Sequence, residues 1–116
     1  MKLNHLNLTV THVLEAHQFL ETYFGLQNMG VGTDKMAGLL DDNGLTLVLM
    51  KGGEESNIIY PKSFHIGFTQ ESKEQVDDIY QRLRDDGFDI PAPRDLHGGW
   101  AFYFQAPGGF MIEVSC

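Results

Sequence analysis

The sequence predicts an α+β fold built from one unit used twice: a strand, a helix and then about three strands, two βαβββ modules in all. Three observations carry this expectation. A half-polar strand followed by a helix that stops at glycine runs from Leu3 to Gly25, and the same programme restarts from Phe64 to Gly87. His5 and His65 take the same place in the two copies, and the turn glycines Gly44 and Gly109 correspond in the same way. The chain closes on two alternating runs, Ala101 to Gln105 and Phe110 to Ser115, joined by a Pro-Gly-Gly break of the kind that hairpins favour. A sheet made this way has one helix-covered face. Its other face has to be buried by a second copy, so two sheets are expected to face each other across a cleft. Residues 1–116 then form a single domain, with module 1–50 and module 63–116 joined by linker 51–62.

In the first module, Leu6, Leu8 and Val10 alternate with His5, Asn7 and Thr9, which predicts a half-buried strand with an unusually polar second face. Val13, Ala16, Leu20, Tyr23 and Phe24 fall at helical spacing up to Gly25. His12 is placed at the start of this helix, with Glu15 supporting its first turn, and His17 is expected at its surface or edge. Gln27 to Thr33 and Met36 to Asp41, both broken by glycines, read as short strands. Asp41-Asp42-Asn43-Gly44 is a turn signal, and Leu45 to Met50 reads as the strand that follows it. Lys51 to Asn57 is polar and glycine-rich, a connector within one domain.

In the second module, Phe64, Ile66 and Phe68 oppose His65, Gly67 and Thr69 on a strand. Ser72-Lys73-Glu74-Gln75 has the form of a capping box, opening a helix with a Val76, Ile79, Tyr80 and Leu83 stripe that ends at Gly87. Phe88 to Ile90 is expected to begin a strand cut short by Pro91 and Pro93, and Arg94 to Gly99 is expected to be a loop leading to Trp100. On the last two strands Ala101, Tyr103 and Gln105 share a face, as do Met111, Glu113 and Ser115, while Phe110, Ile112 and Val114 form the greasy side.

Composition narrows the function. A net charge of −8, with only eight Lys and Arg residues, argues against nucleic acid, whose binding rests on neutralising phosphates. No apolar run approaches the roughly 20 residues of a membrane span, and the N-terminus lacks a secretory pattern. The single cysteine, Cys116, forbids an intrachain disulfide and fits a reducing compartment, so a cytoplasmic location is expected. The acidic balance disfavours a strongly anionic ligand unless a local cation offsets it, and welcomes a cationic one.

A carboxylate in mid-strand between Ile112 and Val114 calls for a wet face or for a partner such as a cation or metal. His5, His65 and Glu113 all fall on the face away from the helices. Two imidazoles and one carboxylate match a facial triad, which holds a divalent ion on one side and leaves positions open for substrate. Fe, Mn, Zn and Ni all suit such a set. Taken singly, each residue has a plainer reading: a strand histidine is most often hydrogen-bonded or part-exposed, and a lone glutamate faces water. Their repetition at equivalent positions is what favours the metal. Tyr103, on the same face, either assists a substrate oxygen as a hydrogen-bond donor or acid, or is a satisfied core tyrosine. His97 is an acid–base candidate or an ordinary loop histidine. Asn7, Thr9, Val48, Arg94 and Trp100 are the candidate pocket-lining residues, each with a packing or solvated reading beside it.

These segments together resemble the vicinal oxygen chelate superfamily of glyoxalases, bleomycin-resistance proteins, fosfomycin-resistance enzymes and extradiol dioxygenases. The resemblance lies in Leu3-Asn4-His5-Leu6-Asn7-Leu8, a helix ending Phe24-Gly25-Leu26, Phe64-His65-Ile66-Gly67, and the stretch from Phe102 to Val114 with its Pro107-Gly108-Gly109 and Glu113. It implies a glyoxalase-like open barrel of paired modules, completed within one chain or between two, and commonly a homodimer. It also implies a divalent metal held by His5, His65 and Glu113, with Tyr103 as the active-site tyrosine. Glyoxalase I enzymes place a further carboxylate where this chain has Val48, which counts against a lactoylglutathione lyase. The extradiol acid–base histidine near the end of the first module has no counterpart between Val48 and Glu55, and the fosfomycin enzymes' C-terminal cationic extension is absent. The expected function is a metal-dependent enzyme, dioxygenase-like or thiol-transferase-like, on a small substrate that chelates through adjacent oxygens. The alternatives are a metal-free sequestering protein of the bleomycin-resistance kind, an isomerase with an incomplete ligand set, and a barrel whose polar interior is only residual.

Overall fold

The alternation of Leu6, Leu8 and Val10 with His5, Asn7 and Thr9 becomes strand β1 (His5–Val10), with Leu8 and Val10 buried and the three polar residues exposed. The computed structural model describes residues 1–52 and 58–116. The chain divides into two units, Met1–Tyr60 with Pro107–Gly109, and Pro61–Ala106 with Phe110–Cys116. Part of the expected linker, residues 53–57, lies outside the described residues.

In the first unit, α1 (Val13–Phe24) follows an extended His12 whose side chain forms no cap, and it ends at Gly25, where φ is +65°. Only a residue without a Cβ takes that left-handed turn at no steric cost, and there the Gly25 N–H satisfies the Glu21 carbonyl. The helix buries Val13, Ala16, His17, Phe19 and Leu20. His17 is therefore a core residue and not the surface residue expected. Its place one turn after Val13 puts it on the buried stripe, which charge-based reading of a histidine overlooks. Phe19 takes the core place expected of Tyr23 and Phe24.

Strands β2 (Gln27–Asn28), β3 (Met36–Leu40) and β4 (Thr46–Lys51) complete a four-stranded sheet in the order β1-β4-β3-β2, with β1 parallel to β4 and the other pairs antiparallel. The expected strand 27–33 shrinks to two residues. Gly30 turns away with φ +110°, and the Thr33 hydroxyl accepts from the Lys35 and Met36 amides in a local turn that competes with the ladder. The β3–β4 turn forms where Asp41 predicted it: its carboxylate accepts from the Asn43 and Leu45 amides, both at 2.8 Å. Ala37, Leu39, Leu47 and Leu49 are buried on the side that packs against α1. A fully buried leucine such as Leu49 contributes about 1.5–3 kcal/mol by leaving water, and truncating it to alanine is expected to cost ~2–5 kcal/mol.

The second unit repeats the plan. Its strands β5 (Ile66–Thr69), β6 (Arg94–Leu96), β7 (Gly99–Ala106) and β8 (Phe110–Ser115) order as β5-β8-β7-β6, again with one parallel pair, β5–β8. Helix α2 (Lys73–Asp85) starts at Ser72, whose hydroxyl accepts from the Gln75 amide. The Gln75 side chain closes the box one residue early, accepting from the Glu71 amide at 2.8 Å. Val76 and Leu83 are fully buried, and the Tyr80 ring meets Phe102 edge-on. Two expectations are corrected here. Phe88 to Ile90 forms no strand, because the Phe88 amide is taken by the Leu83 carbonyl in finishing the helix. Arg94 to Leu96, expected as loop, is a strand, joined to β7 by the two-residue turn His97-Gly98. Both turn residues have positive φ, +51° and +83°, the backbone that matches the twist of a tight hairpin.

The fold is thus α+β, two βαβββ modules whose sheets are each open. Among the described residues no helix is long and apolar enough to cross a membrane.

Candidate functional site

Strand alternation and register build the site from β8 outward. Glu113 sits mid-strand in β8, opposite Gly67 of β5 on one side and Tyr103 of β7 on the other. Paired residues share a face, so these three point away from α2, as does His65, two residues before Gly67. Gly67 leaves that flank of Glu113 open: a Cβ built there would meet nothing within 4 Å. His65, expected within the strand from Phe64 to Thr69, is the residue before β5 begins, following the tight turn closed by Phe64 N–H to Pro61 O.

The polar contacts define a donor set. Tyr103 donates its phenolic proton to Glu113 Oε2. The hydrogen bond it gives to Glu113, then burial, then the carboxylate's charge push the Tyr103 pKa above its ordinary value, so the phenol stays neutral and donating. His65 Nε2 lies 3.4 Å from the same Glu113 oxygen, and its ring meets Tyr103 edge-on at 5.2 Å. His65 Nδ1 is 3.0 Å from the Ser63 carbonyl, which can only accept, so Nδ1 carries the proton. Nε2 therefore faces the carboxylate oxygen either as a second N–H donor or as a lone pair, and in the second case a cation between the two is what holds them together. A histidine whose Nδ1–H is anchored on a carbonyl while Nε2 meets a carboxylate has the outer support that a metal ligand uses. Glu113 is 22% exposed and cannot rely on water alone for its charge.

His5 stands at the start of β1 in the first unit, exposed, with Nδ1 2.7 Å from the Asn4 side-chain oxygen, so its Nε2 is also the free nitrogen. Asn7 and Thr9 follow on the same face, and Asn7 donates to Met50 Sδ at 2.8 Å. Val48 lies between Asn7 and Gly38 in register. Among the described residues no group of three or more His, Cys, Asp or Glu side chains is arranged to hold a metal ion. Within the second unit the assembled set is His65, Glu113 and Tyr103.

Three further candidates are placed by β6 and β7. Arg94 pairs with Ala101 and so shares the Tyr103 face. Trp100 does not line a pocket with them. It alternates to the α2 side, where its indole N–H donates to Asp77 at 2.8 Å and Lys73 Nζ lies 5.0 Å from the ring centre. His97 occupies the hairpin tip, six residues before Tyr103; the stretch from Gly99 to Tyr103 alone spans roughly 13 Å of strand, too far to share protons with Glu113. Sequence reasoning missed Ser63 and Asn4, the acceptors that fix the two histidine tautomers. Their closeness in sequence to His65 and His5 was the available signal. A separate cleft of about 310 Å³ in the first unit, lined by residues 11–15, Asp34 and Lys51, contains none of these residues.

Comparison with known proteins agrees with this architecture. Residues 2–114 match the model of the Glyoxalase/Bleomycin resistance protein/Dioxygenase superfamily. The chain is 30% identical to the Pseudomonas aeruginosa protein PA2024, over 97% of this chain and 86% of that one. It is 52% identical, with a TM-score of 0.90, to a structure of a possible glyoxalase from Bacillus cereus, covering 100% of this chain and 99% of the other. A lactoylglutathione lyase from Agrobacterium tumefaciens shares the fold at 18% identity and TM-score 0.77, covering 98% and 92% of the two chains. With the family match spanning nearly every residue of both units, the chain belongs to the glyoxalase/bleomycin resistance protein/dioxygenase superfamily.

Proposed function

We propose that the protein is a divalent-metal-dependent enzyme acting on a small substrate that presents two adjacent oxygens, with His65 and Glu113 as ligands and His5 as the third. The observation that carries this reading is the His65–Glu113 pair, an imidazole nitrogen 3.4 Å from a carboxylate oxygen, with the other ring nitrogen held on the Ser63 carbonyl. When bound, such an ion (Fe, Mn, Zn or Ni) supplies Lewis acidity and a template for chelating oxygens. Tyr103 is held neutral beside Glu113, ready to give its hydrogen bond to a substrate oxygen once the carboxylate is otherwise engaged. Val48 stands where the family's isomerases carry a carboxylate, which favours dioxygenase-like or thiol-transferase-like chemistry over isomerisation. A single cysteine and the family's habit support a cytoplasmic homodimer.

The test is metal analysis of untagged protein purified without added metal. About one divalent ion per chain is expected, with affinity falling ~100-fold or more in His65→Ala and in Glu113→Ala. Protein that carries no ion, takes none up on titration, and binds a cationic aromatic compound tightly would instead be a sequestering protein.

A further inference from the structure

We propose that Arg94 is the specificity-determining residue of this site, and that the substrate carries a carboxylate which Arg94 holds while the adjacent oxygens are turned toward His65, Glu113 and Tyr103. The inference rests on the chelating reading above and adds the substrate class. Its basis is strand register. Arg94 pairs directly with Ala101 across the β6–β7 ladder, and Tyr103 is two residues further along β7. Arg94 and Tyr103 are therefore diagonal neighbours on one face, with a Cα separation of about 7–8 Å, within reach of so long a side chain.

Three features set this arginine apart. It is the one Lys or Arg in the four strands of the second sheet. It is exposed and forms no ion pair or side-chain hydrogen bond among the described residues, whereas Arg84 is paired with Asp89 at 3.1 Å. Its strand neighbour Asp95 pairs with Trp100 and so takes the opposite, α2 side. A charge on an edge strand also discourages edge-to-edge pairing, and any charged residue would serve that end. Only a cation on this face offsets the field of a chain with net charge −8 at the place where a ligand would lie. One guanidinium matches one planar carboxylate through two parallel hydrogen bonds, while a dianionic phosphate would need more than one cation in so acidic a protein.

The probes are 3-(3,4-dihydroxyphenyl)propionate and 4-ethylcatechol, which differ only in the carboxylate, titrated calorimetrically into the Mn²⁺-loaded full chain. The acid is expected to bind about 10- to 100-fold more tightly than the neutral catechol. Arg94→Gln is expected to erase that difference while leaving 4-ethylcatechol affinity unchanged, and Arg94→Lys to keep part of it. Equal binding of the two probes by the wild type, or a preference that survives Arg94→Gln, overturns the role of Arg94 and leaves the chelating site standing. Failure of both probes to bind overturns the chelating site, and this inference with it.

Discussion

The two sheets have the same strand order, and they differ in what they place at the same node. In the first, β4 carries Val48 between Asn7 and Gly38; in the second, β8 carries Glu113 between Gly67 and Tyr103. His5 and His65 each stand two residues before the outer member of that row. The shared scaffold fixes where side chains point, and single substitutions at its nodes decide which copy carries charge. The second sheet pairs its carboxylate with a phenol and an imidazole, while the first presents a half-buried apolar residue beside an amide. A duplicated fold can thus keep both halves stable while concentrating the ionisable chemistry in one.

The most direct way to break this comparison is to make the first node resemble the second. Val48→Glu puts a carboxylate into a half-buried position with no phenol opposite, since Gly38 stands where Tyr103 would. The metal-free variant is expected to lose about 1–3 kcal/mol in urea unfolding. If Val48 belongs to the proposed ligand sphere, saturating Mn²⁺ should restore that loss and bind more tightly than to the wild type. A loss indifferent to metal would show that the two nodes do not serve one site.

The helices show the same divergence. His17 on α1 and Asp77 on α2 stand one residue after the buried Ala16 and Val76. Asp77 is exposed and accepts from Trp100, whereas His17 is 8% exposed, its Nε2 has no partner among the described residues, and its Nδ1 lies 3.9 Å from Glu21. A buried polar atom without a partner costs about 1–3 kcal/mol, so His17→Leu is expected to stabilise the protein by ~1 kcal/mol, seen as a melting temperature raised by roughly 3–6 °C. A lowered melting temperature would mean that Nε2 is hydrogen-bonded in solution.

Much of this was legible in the sequence, and the reasons separate the successes from the failures. Strand alternation revealed the two faces because one face of each sheet is buried, and a period of two then fixes every side chain. Counting four residues on from Gly44 and Gly109 made Val48 the counterpart of Glu113, and each takes the same place in the register of its own sheet. What failed was local competition. The local turn at Thr33 and the end of α2 took backbone amides, Thr33 N–H to the Met36 carbonyl and Phe88 N–H to the Leu83 carbonyl, that the pattern at 27–33 and 88–90 assigned to strands. His97 does lie in a turn, but that turn is only two residues long, so Arg94 to Leu96, read as loop with it, pairs as a strand. Trp100 was misplaced by its chemistry, although its parity with Phe102 and Phe104 already put it on the helix side.

Trp100→Phe sharpens that last correction. It removes the indole hydrogen bond to Asp77 and weakens the Lys73 contact, both near the surface, so a loss of about 1 kcal/mol is expected. Because the ring faces α2, binding of the two catechol probes should not change. A selective loss of probe binding with unchanged stability would return Trp100 to the site.

The smallest expected effect belongs to Tyr103→Phe, and its sign with pH is what makes it informative. At neutral pH the variant forfeits one hydrogen bond to a part-exposed carboxylate, about 0.5–1 kcal/mol. Glu113 raises the Tyr103 pKa in the folded state, so the native protein holds the phenolic proton more tightly than the unfolded chain does. That contribution is complete below the ordinary tyrosine pKa of about 10 and is lost as pH climbs through the raised value. Wild-type stability should therefore fall more steeply than that of Tyr103→Phe above about pH 10, narrowing the gap between them. In the alkaline ultraviolet titration, removing Tyr103 should delete a component that ionises above the ordinary tyrosine range, whereas loss of an ordinary or early component would mean that Glu113 does not hold this proton. Removing Glu113 is the cross-check, since Glu113→Gln takes away both the charged acceptor and its field and should bring the Tyr103 transition down toward the ordinary value.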